Sequence, residues 1–183
     1  MSKVDRRIAK SQKAIKSAVT ELMYTKSFDD ITIQDIADAA DVNRGTIYLH
    51  YTDKYDLLDK LIEEHINELH GISETSCKID SVDGTAGWFA YFEQNYVFFS
   101  VMLCSKGAPF FRKRFLAFVI EDIKNRREIN TIEGQNKGLN EEAIYNFVGA
   151  GYVQLVEWWF NNEMPYPPHI MEKQLDVLID RNL

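Results

Sequence analysis

Arg44, Gly45, Thr46, Tyr48 and His50 crowd a segment whose apolar anchors, Ile47 and Tyr51, stand four residues apart. A guanidinium, two hydroxyls and an imidazole around one glycine suit recognition by hydrogen bonding and charge rather than bond-making chemistry. A helix of about two turns that exposes such groups beside an apolar anchor gains little stability from them. It does fit a probe that reads base edges in the major groove of a DNA duplex.

Enzymatic patterns are missing from the sequence. There is no GxSxG, GxxxxGK[ST], HExxH or GxGxxG, and Gly149-Ala150-Gly151 falls inside a helical stretch rather than after a strand. His50, His65, His70 and His169 are scattered, and the five-residue spacing of His65 and His70 does not place two ligands on one helix face. No catalytic residue, metal ligand or cofactor is expected. Cys77 and Cys104 lie in no CxxC pair and read as packing or surface thiols in a reducing, cytoplasmic setting. The longest apolar runs, such as Phe115 to Ile120, are too short to span a bilayer, so no membrane association is expected.

Three capping signals must hold the exposed segment in place. Thr32 can cap one short helix, with Asp35 completing a capping box and Ile31 and Ile36 forming a hydrophobic staple. Asn43 caps the next, stapled by Val42 and Ile47, and Ala40-Asp41-Val42 between them is long enough only for a sharp turn. A third cap stands at Thr52. Ile33, Ile36, Ala37 and Ala40 line one side of the first short helix.

Thr32-Ile-x-x-Ile36-Ala37, then Val42-x-Arg44-Gly45-Thr46-Ile47-Tyr48-x-His50-Tyr51-x-x-Lys54, resembles the helix-turn-helix of the TetR family of transcriptional regulators. The resemblance implies a homodimer on a roughly palindromic double-stranded operator. It further implies that Arg44, Gly45 and Thr46 meet base edges while Thr32, Tyr48, His50 and Lys54 hold phosphates, Lys54 acting together with the helix N-terminus at Thr52. One departure is Asp41, where the family usually has glycine. Aspartate tolerates a left-handed backbone better than most residues but worse than glycine.

The net charge of −7 argues against a nucleic-acid binder until its distribution is considered. Residues 1–26 carry seven Lys or Arg against two acids, whereas residues 61–183 carry eleven against eighteen. A basic end on an acidic remainder suits a protein that offers one face to phosphate. Residues 1–7 read either as an arm along the DNA backbone or as a solvated tail.

Periodicity predicts an all-α chain of about nine helices, without strands or repeats. Ile15, Ala18, Val19, Leu22 and Met23 mark an amphipathic helix from Ile8 to about Thr25. A helix from Asp53 to about His70 follows the capped pair and is shared between a DNA-binding head, residues 1–52, and a body, residues 53–183. Gly71 to Gly84 reads as the principal loop. The body continues with helices over 85–95, 96–104, about 109–127, about 141–161 and 168–182, broken at Gly107–Pro109, in the Asn130–Leu139 loop and at the Pro165–Pro168 cluster.

Eighteen of the twenty-three aromatics follow residue 84, which serves a packed core and an aromatic-lined pocket equally well. The family resemblance implies a small effector, and from their facing positions Phe92, Phe99, Met102, Phe115, Phe118 and Tyr152 are the candidate lining for a mainly apolar one. The helix over 141–161 has almost no polar stripe between Ile144 and Phe160 and must be covered on more than one side. A second copy of the chain is the expected cover, through Val148, Gly151, Leu155, Trp158, Trp159, Leu175 and Leu178, with Gly149 and Gly151 permitting close helix approach. The competing function is a DNA-binding coactivator or adaptor whose body docks a protein instead of a small molecule.

Overall fold

The structure, a computed structural model, describes residues 3–78, 87–104 and 109–181. Nine α-helices and one 3-10 turn account for the regular structure of these residues, and no strand occurs among them. The breaks expected over 79–84 and at Gly107, and the side chains of both cysteines, lie outside the described residues. The helices fall into two compact units, Met1–His65 and Ile66–Leu183.

In the first unit, α1 (Lys3–Thr25) begins five residues before the expected start, so the predicted tail is helical from Lys3. Its Ile15 and Val19 are fully buried, as the i, i+4 spacing requires. A 3-10 turn, Phe28–Asp30, leads into α2 (Ile33–Ala39) and α3 (Arg44–Tyr48). Phe28, Ile31, Ile36, Ile47, Tyr51 and Leu57 close a small core. Between α2 and α3 the chain reverses at Asp41, which holds φ +51°, the left-handed conformation anticipated there.

Helix α4 spans Lys54–Lys78, and the division between the units falls inside it. It runs past the loop expected from Gly71. Ile72 is half-buried and Ser73 buried, and the Thr75 hydroxyl donates to the Gly71 carbonyl at 2.8 Å, so residues 71–75 have helical partners that their polar composition concealed. The helix opens on a different cap from the one expected. Asp53 Oδ1 accepts from the amides of Tyr55 and Asp56 at 2.8 and 2.9 Å, and the Thr52 amide donates to Asp56 Oδ2 at 2.8 Å. Asp53 is therefore the N-cap, because only its oxygen lies one residue before the first helical turn.

The second unit contains the end of α4, then α5 (Trp88–Gln94), α6 (Tyr96–Cys104), α7 (Pro109–Arg126), α8 (Glu141–Asn161) and α9 (Pro168–Asp180). Asn140 caps α8 by accepting from the Ala143 amide at 3.0 Å, and Glu141 and Glu142 complement the helix dipole in its first turn. Helix α5 lacks a capping side chain of its own, since Gly87 stands at its N-cap with φ +106°. Glu172 of α9 supplies the acceptor, 2.9 Å from the Gly87 amide. Helix α8 packs along α7 and α6, and α5 along α9. Trp88, Phe89, Phe92, Phe99, Phe111, Phe115 and Trp159 fill the space between them, each at most 1% exposed.

Candidate nucleic-acid interface and the groove of the body

Helix α3 is five residues long and keeps one of them inside. Ile47 is fully buried, while Arg44 and Gly45 are exposed, Tyr48 is 51% exposed and Thr46 half-buried. The buried isoleucine fixes the rotation of the helix, and the side chains named for base readout are left on its outer surface. Asn43 Oδ1 accepts from the Gly45 amide at 2.8 Å. A Cβ on Gly45 would stand 3.3 Å from that oxygen, so the glycine keeps the cap short as well as the surface bare. Leu49, beyond the helix, is 79% exposed.

The four residues expected to hold phosphate are not equivalent. Tyr48 presents its ring and hydroxyl outward, and His50 is half-buried with its ring 6.1 Å from that of Tyr51. Thr32 is exposed, but it makes a complete capping box. Its hydroxyl accepts from the Asp35 amide at 3.1 Å and donates to Asp35 Oδ2 at 2.7 Å, while its own amide donates to the same oxygen at 2.7 Å. Those bonds, reinforced by Lys26 at 2.9 Å, hold the Asp35 carboxyl down at about 2.

Lys54 is engaged within the chain itself. Its ammonium donates to the carbonyls of Phe28, Asp29 and Ile31 at 3.0, 2.7 and 2.8 Å, which engages all three of its hydrogens. It also lies 5.1 Å from the Phe28 ring centroid and 5.4 Å from that of Tyr55. The sequence could not reveal this, because the carbonyls belong to residues some 25 positions earlier.

In the second unit five of the six residues suggested for an effector pocket form an interlocked aromatic cluster, and the sixth, Met102, is buried. Phe92 lies 4.8 Å from Phe99 and 5.9 Å from Phe115, and Phe115 lies 6.5 Å from Tyr152 and 6.3 Å from Phe118. With Met102 they are all 4% exposed or less. The Tyr152 hydroxyl is buried without a hydrogen-bond partner, and burial pushes its pKa well above the ordinary value. Nearby, Asp122 pairs with Arg126 at 3.0 Å, and Arg126 lies 5.8 Å from the Trp88 ring. Burial raises the Asp122 pKa in spite of that cation. Sequence reading overlooked this pair, whose i, i+4 spacing was its one visible signal.

An open groove of about 980 Å³, with Tyr152 in its lining, runs along α8 and α9. Phe147, Gly151, Leu155, Trp158 and Leu178 line it, with Phe147 71%, Leu178 48% and Trp158 39% exposed. Six of the seven residues expected at an interface line this groove, and Trp159 alone is placed differently. Trp159 is fully buried, donating its indole hydrogen to the Tyr166 carbonyl at 2.8 Å, whereas Val148 and Leu175, 8% and 3% exposed, lie in the floor of the groove. Adjacent tryptophans on a helix diverge by about 100°, so one of the pair had to turn inward. The glycines divide likewise: Gly149 faces α7, whereas nothing lies within 4 Å of a Cβ built on Gly151. Tyr166 stacks on Trp158 at 6.4 Å and extends the apolar rim.

Comparison with known proteins adds the family context. A model described as bacterial regulatory proteins, tetR family, matches residues 15–61, and one described as a transcriptional regulator C-terminal region matches residues 81–181. YxbF of Bacillus subtilis (strain 168), an uncharacterized HTH-type transcriptional regulator, is 24% identical over 91% of this chain and 44% of its own length. The chain thus spans less than half of that curated relative. A TetR transcriptional regulator from Streptococcus agalactiae 2603V has the same fold, with a TM-score of 0.72 at 24% identity over 96% of both chains. The transcriptional regulator FadR from Bacillus subtilis, solved in complex with stearoyl-CoA, gives 0.67 at 17% identity over 93% of this chain and 98% of its own.

Proposed function

The chain belongs to the TetR family of bacterial transcriptional regulators, and from that premise we propose that it binds a palindromic DNA operator as a homodimer and is released or retuned by a small, mainly apolar effector. The observation that carries the reading is the orientation of α3: Ile47 is buried, and Arg44, Gly45 and Tyr48 are turned to solvent. Arg44, Gly45 and Thr46 are the base readers, the arginine favouring guanine through its two-pronged geometry. Tyr48, His50 and the Thr32 end of α2 hold phosphates and set register. A two-fold dimer would place two such helices in major grooves about 34–36 Å apart, or a multiple of that.

The groove on α8 and α9 supports the dimer. Exposed aromatic and aliphatic side chains there would be a standing liability on a monomer, and a second copy would cover them. The open space over Gly151 suits close approach of a twin helix. The effector would lodge by parting the Phe92–Phe115–Tyr152 cluster. A neighbour of the same fold solved with stearoyl-CoA supports an apolar chain as the relevant chemistry. Such a regulator works on chromosomal DNA and therefore in the cytoplasm.

The test is selection of bound fragments from the native genome, followed by sedimentation of the free protein. An enriched inverted repeat and a dimer at micromolar concentration are expected; absence of any sequence enrichment rejects the operator reading. A compound that raises the melting temperature and weakens binding to the selected fragment would identify the effector.

A further inference from the structure

Lys54 occupies the first position of α4, and its side chain turns back toward the start of the reading head rather than outward. The three carbonyls it meets come from the 3-10 turn and from Ile31, the residue before the Thr32 cap of α2. They converge on one ammonium, and the rings of Phe28 and Tyr55, 5.5 Å apart and edge to face, stand beside it. A compact ammonium with three hydrogens suits three converging carbonyls, which a planar guanidinium cannot reproduce. The half-buried position strengthens each bond relative to water.

We propose that Lys54 is a positioning residue of the DNA-reading head: it acts on DNA affinity by fixing the Phe28–Ile31 segment, and with it the N-terminus of α2, to α4, and it contacts no phosphate itself. The inference rests on the operator-binding reading. A phosphate could draw on this ammonium only by displacing a carbonyl. The cage instead joins two elements that the covalent chain connects only through α2, α3 and their turns. Pre-set geometry of this kind improves affinity by removing an ordering cost at the moment of binding.

The full chain and its selected operator provide the test, at a temperature where circular dichroism shows each protein folded. Lys54→Met is expected to bind the operator roughly tenfold more weakly, about the worth of one charge-assisted hydrogen bond, with an unchanged dependence of log K on log salt. Lys54→Arg is expected to bind as poorly as Lys54→Met, although it keeps the charge. Amide exchange at Asp30 and Ile31 should quicken in both variants. A merely stabilising lysine would leave the affinity of the folded protein alone. The proposal is overturned if Lys54→Met lowers the salt slope by about 0.9, the value of one lost phosphate contact, if Lys54→Arg restores wild-type affinity, or if Lys54→Met binds normally. Failure of the wild type to bind any duplex selectively would overturn the operator reading at the first measurement and this inference with it.

Discussion

Gly149 and Ile120 meet so closely that a Cβ on the glycine would stand 2.6 Å from Ile120 Cγ1, with Leu116 Cδ1 at 3.5 Å. Two positions on, Gly151 has open space above it. One glycine of the pair closes α7 on α8 within the chain; the other leaves open space at the surface.

Gly149→Ala is expected to destabilise. Overpacking at roughly 1–3 kcal/mol outweighs the helix propensity of up to about 1 kcal/mol that alanine adds. A melting temperature lower by about 2–4 °C for each kcal/mol lost should appear in a thermal scan. An unchanged or higher value would mean that the two helices do not approach this closely.

Gly151→Ala should behave in the opposite way. The helix gains up to about 1 kcal/mol of propensity, but the new methyl projects where a twin helix is proposed to lie. Dilution followed by sedimentation is expected to show weaker self-association without loss of folded structure. Trp158→Glu, on the same rim, should give a monomer outright.

On the reading head, Arg44→Ala and Tyr48→Ala should separate specificity from general affinity. The arginine change is expected to lose about 1–3 kcal/mol on the selected operator and little on a scrambled duplex; the tyrosine change should weaken both alike. Fluorescence anisotropy on the two duplexes measures this, and unchanged binding in both variants would refute the assignment.

Asp35 makes a pH signature. Its carboxyl is held below the ordinary 3.8, at about 2, first by the Thr32 hydroxyl, then by the Thr32 amide and Lys26. A depressed pKa gives stability that is complete above about 4 and lost as pH falls toward 2. Asp35→Asn should therefore melt below the wild type at neutral pH, with the difference shrinking between pH 4 and 2. A difference that is constant across this window would show that the charge is not involved.

Tyr152→Phe is expected to leave the melting temperature unchanged or to raise it. The buried hydroxyl has no partner, and an unsatisfied polar group of this kind costs about 1–3 kcal/mol. A clear loss of stability would reveal a hydrogen bond that the structure does not contain.

Much of the reading head was legible because its signals are local. Thr32 with Asp35, Asn43 with Gly45, and the left-handed Asp41 act within a few residues, where type and spacing are sufficient. The cap at Asp53 was missed by one position, since Thr52 and Asp53 are both good caps and only backbone geometry chooses between them. In the body the helices were visible but not their partners. Periodicity showed that α8 is apolar nearly all round. It could not say that Trp159 turns inward to Tyr166 while Trp158 lies at the open groove.

The amino-acid order by itself determined an all-α chain, a capped helix-turn-helix and the identity of the side chains that α3 exposes, because capping and amphipathic periodicity operate over one or two turns. Tertiary structure alone decided that Lys54 embraces carbonyls some 25 residues away, that Gly149 meets Ile120 while Gly151 faces open space, and that five aromatic residues of the body interlock as a core. Those outcomes depend on how helices distant in sequence approach one another, and no single segment carries that information.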